Sequence, residues 1–283
     1  MWSLRDSGVR SLSSSIIAST DRDGVDDMTA RNRASKATGR QSKSRAHVAS
    51  PLDLDAPIKL KIMPNEFSLN VDHVGELKVL CIGAHCDDIE IGCGAALRVL
   101  QRRRNGASIS WVVLSGDEVR RRESRRAMRR FVSPRHRGAL QFEAFPDGRF
   151  PAAYDEIKTL FESLKSEFQP DLIFCHERED RHQDHRIVNE MVWSTFRSQL
   201  ILEYEIPKWD GGLGQPNFYV PVSSRDATSK ADALVAAYPS QAGRDWFTRD
   251  TFLSLLRLRG IECRAPSGYA EAFHARKVRI CGF

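Results

Sequence analysis

No stretch of this sequence stays apolar for the roughly 18–20 residues that a helix crossing a bilayer requires, so no transmembrane segment is expected. Residues 1–50 lack the apolar core of a secretory signal, because SLSSSIIAS is too short and too polar. They also contain Asp21, Asp23, Asp26 and Asp27, which a transit peptide avoids, and a cytoplasmic location is expected. Cysteine is sparse: Cys81, Cys86, Cys93, Cys175, Cys263 and Cys281 form no CxxC pair and have no disulfide-like density. They read as buried thiols of a reducing compartment. A GxGxxG frame is absent, since Gly92 and Gly94 fall inside a helical pattern, so a nucleotide cofactor is not expected and close helix–sheet packing accounts for the glycines.

Uniform basicity is lacking too. The net charge is +6, but residues 101–137 carry twelve arginines against Asp117, Glu118 and Glu123, and the chain beyond the basic segments is acidic. That distribution argues against a nucleic-acid partner. The arginine run reads as a solvated helix face, with an electrostatic funnel for an anionic substrate as the alternative.

What is present begins with an extension. Residues 1–65 are basic, rich in serine and expected to be disordered, ahead of a single catalytic domain over 66–283; Met28 and Met63 are alternative starts. Order is expected from about Leu69. Strands are expected at Leu77–Gly83, Ile109–Leu114, Ala139–Phe145 and Leu172–Cys175. Helices are expected at Ile89–Arg104, Asp117–Phe131, Tyr154–Phe168 and from His185 to Gln199. Alternation at this spacing predicts βαβ units: an α/β, Rossmann-like, mainly parallel sheet flanked by helices. The last third is less regular. Strands are expected at Leu200–Ile206, Phe218–Val222 and Glu271–Ile280, and helices at Lys230–Tyr238 and Trp246–Arg259.

Two clusters carry ligand-grade side chains at expected strand ends, where α/β sheets bind ligands. His85, Asp87 and Asp88 follow the continuous apolar run Val79–Ile82, and His182, Asp184 and His185 follow Leu172–Cys175. Two imidazoles and a carboxylate leave a metal position open, the usual arrangement of a catalytic zinc. Asp87 then stands beside a ligand, free to take a proton from water, while Asp184 can orient His182. The same set suits a non-haem Fe(II) oxygenase, and a non-catalytic sugar-binding module is the third reading. His176, Asp180 and Glu271 are pocket candidates that the sequence does not place. Trp209, Tyr219, Trp246 and Tyr269 read as core or rim packing, with an aromatic platform for a pyranose ring as the alternative.

AHCDDIEIGCG resembles the AHPDDxExGCG motif of the PIG-L/LmbE deacetylase family, and RHQDHR resembles its HxDH motif. The likeness extends through Gly116-Asp117-Glu118, Arg120, Glu123, Pro146-Asp147-Gly148 and Pro170-Asp171, over roughly Leu77 to Val192. It implies a zinc-dependent N-deacetylase, with Zn2+ or another divalent cation such as Fe2+, acting on an N-acetylglucosamine-type sugar or glycoconjugate. It implies His85, Asp88 and His185 as metal ligands and Asp87 as general base. His182, supported by Asp184, is implied to stabilise the oxyanion or protonate the leaving amine. Arg120 matches a family arginine near the substrate, and Asp147 is a second substrate-binding candidate after its role as turn former. Cys86 stands where the family usually has proline. A homo-oligomer is compatible with the sequence.

Overall fold

Apolar runs with no polar alternation demand burial on both faces, and the first strand meets that demand. In the computed structural model, which describes residues 75–279, β1 (Leu77–His85) sends Val79 and Cys81 into one apolar cluster and Leu80, Ile82 and Ala84 into a second on the opposite face. The first cluster lies under α1 (Asp88–Arg103) and α2 (Glu118–Phe131), the second under α3 (Tyr154–Phe168) and α4 (Gln183–Thr195). Between them runs a seven-stranded sheet completed by β2 (Ala107–Ser115), β3 (Arg137–Phe142), β4 (Leu172–His176), β5 (Leu200–Tyr204), β6 (Phe218–Pro221) and β7 (Ala270–His274). The order is β3-β2-β1-β4-β5-β7-β6. β1 to β5 are parallel, while β7 runs antiparallel to both β5 and β6. Helices on both faces of a mainly parallel sheet match the expected class.

The strand order reverses direction at β1, which pairs with β2 on one side and β4 on the other. A crevice opens at the carboxyl ends of two such strands, and there β1 ends on His85 and β4 on His176.

Several boundaries differ from expectation. α5 (Ser224–Ala237) begins at Ser224 and not Lys230, because Ser223 accepts the Asp226 N–H and caps it. α4 starts at Gln183 and not His185, since the His182 ring takes the Asp184 N–H as N-cap. α6 (Arg249–Glu262) is capped by Thr248 and starts beyond Trp246. The extension over 1–65 and the start of order near Leu69 lie outside the described residues, and the last strand, expected to run to Ile280, ends at His274.

Gly92 and Gly94 are packing glycines. A Cβ on Gly92 would lie 2.2 Å from the Tyr204 ring, and one on Gly94 2.6 Å from Phe131. Glu271 of β7 reaches back to the same helix, accepting the Ala95 and Ala96 N–H groups at 2.8 and 2.6 Å. Lys230 of α5 completes the junction, 2.5 Å from Glu271 and donating to the Ile91 carbonyl. Both residues are 3% exposed. Removing one partner of a buried pair strands the other charge, so Glu271→Ala is expected to cost about 3–5 kcal/mol of stability in a urea titration. Glu271→Gln, which keeps one acceptor oxygen, should cost less.

Candidate metal and acid–base centre

The loop after β1 turns sharply into α1 at Asp87, whose φ of 120° is a conformation that side chains rarely adopt. This turn sends successive side chains apart. The Asp88 carboxylate faces the crevice, 3.5 Å from His85 Nδ1 through Oδ2 and 3.6 Å from His185 Nε2 through Oδ1. His185 Nε2 lies 3.3 Å from His85 Nδ1. Metal bonds of about 2.0–2.1 Å in tetrahedral array place ligand atoms about 3.3 Å apart. The His85 and His185 nitrogens are therefore spaced as neighbouring ligands of one small cation, and the Asp88 carboxylate approaches each of them through a different oxygen.

Each imidazole is held by a carboxylate on its other nitrogen. His85 Nε2 lies 3.1 Å from Asp184 Oδ2 and 3.0 Å from Asp147 Oδ1. His185 Nδ1 lies 2.9 Å from Asp180 Oδ2. Such backing fixes the tautomer and turns the free lone pair inward. Burial opposes charge on both rings. Around His85 the carboxylates of Asp147, Asp184 and Asp88 outweigh burial and raise its pKa. At His185, burial and the neighbouring His176 bring it down to about 3. Asp88 stays ionised, because His185 and His176 overcome its desolvation. His185 thus presents a neutral inward nitrogen beside the ionised Asp88, while His85, whose raised pKa favours the protonated ring, has to give up a proton to a cation before it can ligate.

Two other histidines adjoin the set: the groups whose single ligand atoms all lie within 4.8 Å of one another are His85, His182 and His185; His85, Asp147, His182 and Asp184; and Asp88, His176 and His185. Their hydrogen bonds assign them differently. His182 Nδ1 accepts the Asp184 N–H at 3.3 Å, which puts its proton on Nε2. Burial, and next the proximity of His85, lower its pKa, so the neutral ring is a donor through Nε2. His176 Nε2 accepts the Ala84 N–H at 2.9 Å, and its Nδ1 has no hydrogen-bond partner.

Asp87 points away from the triangle toward Arg120, with Oδ2 2.8 Å from Nη2. Burial raises its pKa to about 6 against the pull of Arg120, with Asp88 adding to the rise. Arg120 is itself fixed: it donates to the Cys86 carbonyl, reaches Ser240 Oγ at 3.3 Å and stacks over Tyr238. Glu123 lies 3.6 Å away and accepts from Ser240.

The sequence profile of one family, PIG-L: GlcNAc-PI de-N-acetylase, matches residues 80–196, from β1 through α4 and both clusters. YaiS, an uncharacterised deacetylase of Escherichia coli strain K12, is 33% identical over 170 residues, 55% of this chain and 88% of that protein. The chain belongs to the PIG-L family.

Solved structures share the PIG-L chain's fold at lower identity. The conserved protein TT1542 from Thermus thermophilus superposes with a TM-score of 0.57 at 21% identity, covering 73% of this chain and 97% of that one. The N,N'-diacetylchitobiose deacetylase from Pyrococcus horikoshii gives 0.54 at 22% identity, covering 70% and 82%. GalB, a 4-carboxy-2-hydroxymuconate hydratase from Pseudomonas putida KT2440, gives 0.58 at 15%, covering 73% and 99%. One fold thus carries more than one chemistry, and function must be argued from the site.

Within the PIG-L segment, His85, Asp88, His182, Asp184 and His185 meet at the crevice, while the Asp87 carboxylate turns to Arg120. One expected relationship differs. The Asp184 carboxylate serves His85 and not His182: it accepts the Gly148 and Phe150 N–H groups at 2.7 and 3.1 Å, which turns it away from its sequence neighbour. Arg120 engages Asp87, while Arg122 faces solvent near Glu118 and Arg121 donates to the Gly116 and Glu143 carbonyls. Asp147 does form a turn, closed by Arg149 N–H to the Pro146 carbonyl, with its side chain 75% exposed at the rim. Cys86 packs its thiol against Gly116 and donates to the Ser115 carbonyl, away from the triangle.

Asp180, which the sequence does not place, proves to be a hub. It takes His185 Nδ1, the His182 N–H at 2.8 Å and Lys208 Nζ at 2.6 Å. These partners keep its pKa low despite burial. His176 was legible in principle, as a histidine ending the strand next to β1.

Proposed function

We propose that this protein hydrolyses the N-acetyl amide of an N-acetylglucosamine-type amino sugar or its conjugate, with a divalent cation, zinc in the first instance. The observation that carries the reading is the 3.3 Å approach of His85 Nδ1 and His185 Nε2, each imidazole backed by a carboxylate, with the Asp88 carboxylate 3.5 and 3.6 Å from them through its two oxygens. Membership of a de-N-acetylase family supports it. His85, Asp88 and His185 would hold the cation. The tautomers of His176 and His182 leave neither with a lone pair for it. Bound there, such a cation supplies Lewis acidity, polarising a carbonyl and lowering the pKa of water.

The chain's own groups supply the proton transfers. Asp87 accepts a proton from the attacking water as its oxygen bonds to the acetyl carbon. His182 donates from Nε2 to the oxygen that becomes negative, as a neutral donor aimed at developing charge. The proton held on Asp87 then passes to the amide nitrogen. The C–N bond breaks, and acetate and the free amine leave. Arg120 holds Asp87 in position and favours its ionised form, a role beside the base in place of direct substrate contact. Asp147, exposed at the rim, is placed to meet a substrate hydroxyl.

The test is acetate release from a panel of N-acetylated sugars and sugar conjugates, with and without chelator. Release that is abolished by chelator and restored by Zn2+ is expected. Release from no member of the panel, or release indifferent to chelator, would sink the proposal.

A further inference from the structure

Among the described residues, Trp209 is the one tryptophan that is mostly exposed, at 63%, yet it is held in place. Its Nε1 donates to Asp245 Oδ1 at 2.8 Å, and Trp246 meets it edge to face with centroids 6.1 Å apart at 78°. The Arg244 guanidinium lies over one face of the ring, 5.9 Å from its centroid, which leaves the other face for a ligand. An indole at this exposure adds little to a core, so its fixed orientation calls for another account.

Its surroundings supply one. Lys208, the preceding residue, is tied to Asp180, the carboxylate that holds His185. Three residues on, Gly212 packs against Arg181, beside His182; a Cβ there would lie 3.1 Å from Arg181 Cγ. The segment that receives Trp209 belongs to the other side of the cluster, where Ser240 bonds both Arg120 and Glu123 beside Asp87. Trp209 therefore stands between a loop anchored at the His185 side and a loop anchored at the Asp87 side.

We propose that Trp209 is the platform on which a pyranose ring of the substrate stacks while its N-acetyl group enters the crevice. This rests on the deacetylase reading above. The C–H bonds on one face of a pyranose present a weakly positive, apolar surface, which an aromatic π-face complements. A flat, fixed indole selects for a saccharide ring over an open-chain amide. It lies in the last third of the chain, outside residues 80–196 matched by the family profile.

The experiment compares wild type, Trp209→Ala and Trp209→Phe in steady-state deacetylation of N-acetylglucosamine and N,N'-diacetylchitobiose. Calorimetric titration with the deacetylated disaccharide runs beside it. Trp209→Ala is expected to raise KM about tenfold with kcat held, since stacking acts equally on ground and transition states. Affinity for the disaccharide should fall in parallel, Trp209→Phe should recover most of both, and thermal melting should not move. An alanine variant with wild-type KM and affinity overturns the platform and leaves the deacetylase reading intact. A wild type that binds the disaccharide through Trp209 but releases no acetate overturns that reading and leaves the platform standing. A wild type that neither binds nor turns over a pyranoside overturns both.

Discussion

Replacing Asp87 with alanine is expected to lower acetate release by about 10²–10⁴-fold, the usual contribution of a positioned proton acceptor, while metal content stays at the wild-type level. The separation follows from geometry, because Asp87 faces Arg120 and takes no part in the triangle of His85, Asp88 and His185. Metal analysis beside the rate distinguishes this outcome from simple loss of the site. Arg120→Ala gives the complementary result. Arg120 lowers the pKa of Asp87, so without it the carboxyl rises further and is ionised only at higher pH. The acid limb of kcat/KM should shift upward, since the base must be unprotonated to act. An unmoved limb would mean that another group is the base.

Chelation is expected to abolish acetate release, and the chelator concentration needed should depend on residues that touch no cation. Asp184→Asn keeps an acceptor oxygen for only one of the Gly148 and Phe150 N–H groups, which bond different carboxylate oxygens, and withdraws the negative charge from His85 Nε2. Loss of such a carboxylate weakens metal affinity about 10–100-fold. A competition titration with a chromophoric chelator measures this directly, without substrate. Full retention of affinity would show that the carboxylate does not support His85. His85→Ala, which removes a ligand, should leave no stoichiometric metal.

The sheet and most of the site were legible because their signals are local. Val79–Ile82 states burial on both faces, and His85, Asp87 and Asp88 sit together where such a strand must end. The partner of Asp184 was not legible, since backbone N–H groups 34 and 36 residues earlier decide where its carboxylate points. Asp180 escaped for the same reason: its meaning comes from Lys208, in a loop without periodicity. The start of α5 was not legible because its cap, Ser223, lies in a polar stretch where the apolar pattern is silent. Arg120 could be singled out by motif, but only packing against Tyr238 and Ser240 distinguishes it from Arg121 and Arg122.

The reach of Glu271 onto α1 also bears on the order of events during synthesis. β7 enters the sheet between β5 and β6, and its carboxylate closes a contact spanning 176 residues with the helix that begins at Asp88. Contacts of such separation form late, after the entropy of closing the loop has been met. The helix that opens on Asp88 is therefore fully supported only once β7 has left the ribosome. A nascent chain arrested before residue 270 should bind metal weakly, however complete its histidines and aspartates.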